Sequence, residues 1–282
     1  MGSVRVGGQW HGFFSEMEGH CGLTAWETNS LIAHAVADTP NGPWRRVGQA
    51  SGVWSHNPAT AAAPDGTLLL FHIGSGSGGE ARNGSRESSQ QCHDGSSPCG
   101  THPSHHCDPG AGSGSLVASQ EDARESGGGK LDFFTAQKPE GPWKAFSANV
   151  DQNIGGNNPA PWVHPNGTIF IVVNTNQLLR ADKWQGPYTV VMHGACGKGE
   201  DAFLYTDKQG HFHCLYHRSG AGHFANLSVA GGHAYSLDGY TWHDDETPAY
   251  STKVAYEQGG AKVYGKRERE SYSPSRRIRK HE

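Results

Sequence analysis

Three acidic residues have the types and neighbours that acid–base chemistry requires. Glu200 and Asp201 are adjacent in the segment GEDAF, and Glu16 lies in the segment FFSEMEGH. A carboxylic acid can protonate a leaving oxygen while a carboxylate activates water, so we predict Glu200, Asp201 and Glu16 as catalytic residues. The alternatives are that Glu200 and Asp201 cap backbone amides in a turn, and that Glu16 is a solvated loop acid.

A second set of residues suits recognition of a polar ligand better than proton transfer. Asparagine offers both donors and acceptors, histidine offers switchable ones, and a tryptophan ring can stack on a sugar ring. The predicted substrate-binding residues are Trp26, His56, Asn57, Asn157, Asn158 and His217. The alternatives are that the Asn-Pro steps are ordinary turns and that Trp26 belongs to the core.

Three of the predicted site residues recur at a fixed spacing from a glycine, which indicates an internal repeat. In three copies an Asn or Asp stands nine residues before a turn glycine, and a strand-like run such as TLLLFHI or TIFIVVN follows the glycine. The pairs are Asn57 and Gly66, Asn158 and Gly167, and Asp201 and Gly210. The same glycine-then-strand pattern appears a fourth time in GQWHGFFS, from Gly8.

A Gly-Pro-aromatic signature separates the copies, in NGPWRRV, EGPWKAF and QGPYTVV. Proline cannot donate a hydrogen bond inside a sheet, so Gly-Pro marks a turn and the aromatic residue opens an outer strand. Each repeat is then a small antiparallel sheet that buries its faces only against its neighbours. The spacing predicts an all-β fold of β-propeller type; a β-sandwich with accidental similarity is the alternative. The turn in SLDGYTW, Ser236 to Trp242, is expected to complete the fourth blade.

The motifs HCGLTAWETNS, SHNP, GEDAF and GGHAYSLDGYTW resemble the five-bladed propeller of glycoside hydrolase family 43 and its arabinanase, xylosidase and invertase relatives, over roughly Gly8 to Tyr264. The resemblance implies hydrolysis of O-glycosidic bonds by acids at the propeller axis. It implies that Glu200 is the general acid and that Asn158 replaces an acid that tunes it. It also places the general base before Met1, and no fifth inner strand is recognisable beyond Lys266. We therefore expect truncation at both ends, with an incomplete first blade and a poorly formed fifth.

Residues 75–129 interrupt the repeat with a Gly/Ser/Cys/His-rich stretch that cannot build a core, and we predict a loop insertion there. Cys92, Cys99 and Cys107 lie among histidines, but their spacing matches no compact zinc motif. Disulfides are the favoured interpretation, and no metal or other cofactor is predicted. Cys196 and Cys214 bracket the Glu200 strand and could pair across it.

Composition and charge limit the partners and the location. With 40 Gly and 18% charged residues, the chain lacks the mixture that long helices need. Residues 266–282 hold seven Lys/Arg against three Glu and leave the rest of the chain near −8, so we predict a propeller domain over residues 1–265 and a basic disordered tail. Nucleic-acid binding, membrane insertion and a signal peptide are not predicted. The six Cys and the sequons at Asn83, Asn166 and Asn226 favour the secretory pathway or an extracellular location, and we expect a monomer.

Three hypotheses remain at this point. The first is a glycoside hydrolase of the family 43 type. The second is a non-catalytic carbohydrate-binding propeller that kept the pocket and lost the acids. The third is a fragment without stable function, which a cooperative thermal unfolding transition would count against.

Overall fold

A computed structural model describes residues 2–20, 22, 25–74, 129–154, 158–173, 176–197, 199–218 and 231–264. The described elements are almost entirely β-strands, with one short 3-10 helix (Glu18–His20) and one four-residue α-helix, α1 (Trp26–Asn29). The chain forms two compact units, an N-terminal unit (Met1–His193) and a C-terminal unit (Gly194–Glu282). The predicted all-β class is confirmed.

The described part of the N-terminal unit contains three four-stranded antiparallel sheets, each with its strands in sequence order. The first sheet holds β1 (Gly2–Val6), β2 (Gln9–Met17), β3 (Ser30–Ala37) and β4 (Arg45–Gln49). The second holds β5 (His56–Ala62), β6 (Leu68–Ile73), β7 (Gly129–Ala136) and β8 (Lys144–Val150). The third holds β9 (Ala160–Val163), β10 (Ile169–Val173), β11 (Gln177–Ala181) and β12 (Thr189–His193). Each sheet has the form of a propeller blade.

The C-terminal unit has one more sheet of the same form and a separate hairpin among its described residues. The sheet holds β13 (Gly199–Thr206), β14 (Phe212–Arg218), β15 (Gly231–Ser236) and β16 (His243–Asp244). The hairpin pairs β17 (Lys253–Ala255) with β18 (Ala261–Val263). This hairpin ends before Lys266, the point from which the fifth blade was expected, and residues 266–282 lie outside the described residues.

The core of the N-terminal unit shows why β6, the second strand of its sheet, is apolar at every position except His72. Leu68 and Leu70 of β6 pack in a cluster with Phe13 and Ile32 of the first sheet. Leu69 and Phe71, on the opposite face of β6, pack in a second cluster with residues of the third sheet. A strand that packs on both faces is expected to carry apolar residues on both, and burying each such side chain contributes about 1.5–3 kcal/mol.

The Gly-Pro-aromatic signature has the predicted role. β4, β8 and β12 each begin at the residue after the aromatic ring, which is Trp44, Trp143 or Tyr188. Trp143 and Tyr188 are buried, with 3% and 0% of their surface exposed. The signature therefore places one large ring before each of these three strands, and two of the rings, Trp143 and Tyr188, belong to the core.

The predicted turn between β15 and β16 is also confirmed. The hydroxyl of Ser236 accepts a hydrogen bond from the Gly239 N–H (2.9 Å), and Asp238 Oδ1 accepts two more, from Thr241 N–H (2.7 Å) and Tyr240 N–H (2.8 Å). These backbone hydrogen bonds, Thr241 first, lower the pKa of Asp238 to about 2. The indole of Trp242 donates to the Gly239 carbonyl (3.1 Å), which closes the turn.

Three predictions lie outside the described residues, and they concern almost all of the 75–129 insertion with its three cysteines, Asn157 and the 266–282 tail. In the described ranges no helix has the length and apolar character needed to cross a membrane.

Candidate functional site

The repeat positions that precede each turn glycine by nine residues share a backbone conformation. Asn57, Asn158 and Asp201 all have positive φ, at 52°, 56° and 57°. Residues with a Cβ rarely adopt this left-handed conformation, and asparagine and aspartate are the usual exceptions besides glycine. Backbone geometry thus favours Asn, Asp or Gly at these positions, and the repeat leaves open which of them occurs.

A β-bulge brings Glu200 and Asp201 to one place. Neighbouring residues of a regular strand point to opposite faces of the sheet. Here the register between β13 and β14 shifts between Glu200 and Phe203, and Asp201 takes the left-handed conformation. As a result, one carboxylate oxygen from each acid and one ring nitrogen of His217 lie within 4.8 Å of one another.

The three side chains differ in their access to solvent. The Glu200 side chain is 39% exposed, whereas His217 and Asp201 are buried. His217, which pairs with Glu200 across the two strands, has its Nδ1 3.4 Å from Glu200 Oε1. The cluster therefore combines one carboxyl group that a ligand can reach with two buried polar groups behind it.

Two kinds of chemistry fit this cluster. Glu200 can exchange a proton with a bound substrate, held in position by His217. The same set, two carboxylate oxygens and an imidazole nitrogen, could also ligate a divalent cation. The separation of the two acids bears on the first role: paired glycosidase carboxyl groups lie about 5–5.5 Å or about 6.5–9.5 Å apart. The nearest carboxylate oxygens of Glu200 and Asp201 lie within 4.8 Å of each other, which is below the separation of about 6.5–9.5 Å.

A disulfide and a buried tyrosine fix the strands that carry this cluster. Cys196, four residues before Glu200, is bonded to Cys214, three residues before His217, with their Cα atoms 5.4 Å apart. This confirms the pairing considered from the sequence. Both cysteines are buried, so the bond ties the approach to β13 directly to β14.

Tyr216 is a positioning residue that the sequence reasoning missed. Its ring lies so close to Gly197, Gly199 and Gly232 that a Cβ on any of them would come within 2.7 Å of the ring. Its hydroxyl donates to Asp244 Oδ1. Burial, with that hydrogen bond second, raises the pKa of Tyr216 to about 12, so the hydroxyl remains a donor at neutral pH. The unusual density of glycine around β13 and β15 was the available signal.

The N-terminal unit brings four of the predicted binding residues together. Asn57 Nδ2 donates to Asn158 Oδ1 (2.7 Å), and the Asn57 backbone N–H donates to the Ser15 hydroxyl (2.9 Å). His56, next to Asn57, has its Nδ1 2.6 Å from the Ser30 hydroxyl, and its ring centroid lies 5.3 Å from that of Trp26. This group is polar and carries no carboxylate among its members.

Glu16, which was predicted to be catalytic, lies in an exposed ion pair. Its carboxylate forms an ion pair with Arg46 of β4 (2.7 Å), and both side chains are about half exposed, at 42% and 50%. The preceding residue, Ser15, contacts Asn57, and alternation along β2 directs Glu16 to the other face. This placement corresponds to the alternative stated above, a solvated acid.

Comparisons with known proteins identify solved structures that have a similar fold. No protein-family model matches the sequence, and a search of curated proteins finds no match. Solved structures do match: a family 43 β-1,3-galactosidase (TM-score 0.51, 11% identity, 91% of this chain and 46% of that one) and the exo-β-1,3-galactanase of Phanerochaete chrysosporium in complex with galactose (0.52, 13%, 86% and 48%). A family 117 glycoside hydrolase of the marine bacterium Zobellia galactanivorans matches as well (0.51, 14%, 86% and 66%).

The chain thus has the β-propeller fold of the family 43 and family 117 glycoside hydrolases. It spans about half the length of the β-1,3-galactosidase and of the Phanerochaete chrysosporium galactanase. The predicted fold and the resemblance drawn from its motifs are confirmed at the level of the fold.

Proposed function

We propose that the protein is a glycoside hydrolase of the family 43 type that cleaves O-glycosidic bonds of an oligosaccharide or polysaccharide, with Glu200 as the general acid. The observation that carries the proposal is the cluster of Glu200, Asp201 and His217 at the start of β13, on a fold whose solved neighbours are glycoside hydrolases. Glu200 is its solvent-accessible member and so is the one that meets a glycosidic oxygen.

The residues of the cluster have separable roles in this proposal. Glu200 donates its proton to the leaving oxygen as the bond to the sugar breaks. Asp201 places a second carboxyl group beside Glu200 and helps to hold that acid in position. His217 fixes the orientation of the Glu200 carboxyl group. Water activation falls to a group other than Asp201, because the two acids are too close to enclose a sugar and a water.

The test is the release of reducing sugar from a panel of arabinan, xylan, fructan, β-1,4-galactan and β-1,3-galactan. The wild-type protein and an Asp182→Asn variant should release sugar, and Glu200→Gln should release none. Asp182 is the matched control because it is an acid of the N-terminal unit in an exposed ion pair with Arg180. Hydrolysis that is unchanged by Glu200→Gln would end the assignment.

The second candidate function, a carbohydrate-binding propeller without turnover, is favoured by the amide pair of the N-terminal unit. Asn57 and Asn158 occupy two of the three repeat positions with neutral side chains that can bind hydroxyl groups but carry no charge. Calorimetric titration with the panel's oligosaccharides distinguishes the two functions. Binding that survives Glu200→Gln, with no hydrolysis by the wild-type protein, would establish the second function and exclude the first.

A further inference from the structure

The turns that join the first two strands of the second and third sheets are nearly identical in sequence and hydrogen bonding. The second sheet has Pro64-Asp65-Gly66-Thr67, and the third has Pro165-Asn166-Gly167-Thr168. In the first turn Asp65 Oδ1 accepts a hydrogen bond from the Thr67 N–H (2.9 Å). In the second, Asn166 Oδ1 accepts from the Thr168 N–H, also at 2.9 Å. Each is an Asx-turn that uses one side-chain oxygen.

The comparison shows which atom of Asn166 the fold does not use. Asp65 forms the same turn although its side chain has no amide nitrogen, so the turn requires only a side-chain oxygen at this position. Among the described residues, Asn166 Nδ2 makes no hydrogen bond, and the side chain is exposed. Asp65, in contrast, also accepts a hydrogen bond from the indole of Trp184 (3.0 Å), and Thr67 is buried.

We propose that Asn166 is a site of N-linked glycosylation. Asn166-Gly167-Thr168 is an Asn-x-Thr acceptor sequence at the exposed tip of a turn, and Thr168 is only half-buried. Nδ2 attacks C1 of an oligosaccharide held on a polyprenyl diphosphate. An N–C bond forms, the C1–O bond to the diphosphate breaks, the diphosphate carrier leaves, and Nδ2 loses one proton. The folded turn keeps its oxygen-based hydrogen bond while Nδ2 carries the glycan.

The buried disulfide is a second observation that fits the same compartment. Bonds such as Cys196–Cys214 form in oxidising environments, which include the lumen where N-glycans are transferred. The proposal thus places the chain in the secretory pathway, independently of any catalytic activity.

The experiment uses the full chain secreted from a eukaryotic host behind a cleavable leader. Trypsin cuts at Lys144 and Arg180, and residues 145–180 contain Asn166 as their only acceptor sequence, so sugars at Asn83 or Asn226 do not interfere. Mass spectrometry of the intact glycopeptide is the readout. The deamidated peptide is not counted, because an Asn-Gly step also deamidates spontaneously.

The expected result is a glycan on this peptide in the wild-type protein and in Thr168→Ser, and its loss in Asn166→Asp and Thr168→Ala. Asn166→Asp is the sharpest variant because Asp65 shows that aspartate forms the same turn, so its secreted yield and melting temperature should match the wild type. Unmodified Asn166 in secreted protein, with the Cys196–Cys214 peptide present in the same digest, would overturn the proposal.

Discussion

Asn57 and Asn158 in the N-terminal unit and Asp201 in the C-terminal unit have the same backbone conformation at the same repeat position, but different side-chain chemistry. The two asparagines bind each other through a 2.7 Å hydrogen bond between neutral amides. Asp201 instead lies beside Glu200 and His217, in a group whose three members can all change their charge.

This difference shows that the repeat requires a particular backbone conformation at this position but allows different side-chain types. The left-handed conformation and the bulge restrict the residue to a few types, and either an amide or a carboxylate satisfies them. Of the three repeat positions, only the one in the C-terminal unit has an ionisable side chain, Asp201. Its backbone conformation is the same as that of Asn57 and Asn158. We expect proton transfer at the carboxylate cluster and neutral hydrogen bonding at the amide pair.

The largest expected effect comes from removing the accessible acid. Glu200→Gln keeps the shape of the side chain and removes its proton-donating ability, so hydrolysis should fall by roughly 100- to 10,000-fold. Steady-state kinetics on the best substrate of the panel measures it. Glu16→Gln, which alters only an exposed ion pair, should change the rate less than about threefold. A comparable loss in Glu16→Gln would return that residue to the catalytic set.

The second prediction concerns the pH dependence of the unfolding free energy, which is distinct from the pH dependence of catalysis. Burial lowers the pKa of His72 from 6.5 to about 4, against a hydrogen bond from His72 Nδ1 to the Ile73 carbonyl that raises it. Below pH 6.5 the unfolded chain binds a proton that the folded chain excludes, so the unfolding free energy should fall by roughly 3 kcal/mol as the pH drops to about 4.

Urea unfolding of the wild type and His72→Leu at several pH values measures this contribution. The variant should lose much of the slope, although His11 and His34, whose pKa values burial also lowers, retain their share. His193→Leu, at an exposed position, is the control and should keep the wild-type slope. An unchanged slope in His72→Leu would contradict the assignment.

A third prediction introduces a charge into the amide pair. Asn57→Asp suits the backbone but replaces the Nδ2 donor by an oxygen facing Asn158 Oδ1, which should destabilise the protein by about 1–3 kcal/mol. Chemical denaturation at pH 7 gives the change. Asn57→Gly, which keeps the left-handed conformation without adding a charge, should cost less. Equal stability of Asn57→Asp and the wild type would show that the amide pair is not a structural contact.

The smallest effect comes from the reverse exchange. Asp201→Asn gives the C-terminal unit the side chain found at the equivalent positions, whose conformation asparagine adopts in Asn57 and Asn158. Stability should change by less than about 1 kcal/mol, while the hydrolysis rate should fall about tenfold, because the variant removes the second carboxylate from beside Glu200. A large loss of stability with full activity would reverse the roles of structure and chemistry at this position.

The repeat made much of the fold predictable. Each blade has its own turn glycine and most have a Gly-Pro-aromatic step, so local sequence fixes where strands start and end. The shared preference of Asn57, Asn158 and Asp201 for left-handed backbone was also readable in principle, from residue type alone.

The site was harder to predict because it depends on contacts between distant residues. Asn57 and Asn158 are 101 positions apart, and Glu16 meets Arg46 across 30. The bulge that gathers Glu200 and Asp201 alters the direction of side chains that alternation along a strand would separate. The sequence identified the two acids as candidates. Only the register of β13 on β14 shows that the histidine beside them is His217.

The central claim, that Glu200 is the proton donor, is tested most directly by varying the leaving group. A dinitrophenyl glycoside of the sugar identified by the panel leaves without protonation, whereas a sugar leaving group needs a donor. Glu200→Gln should lose roughly 100- to 10,000-fold on the natural linkage and less than about tenfold on the dinitrophenyl glycoside. Equal losses on both substrates, or none on the natural linkage, would contradict the account.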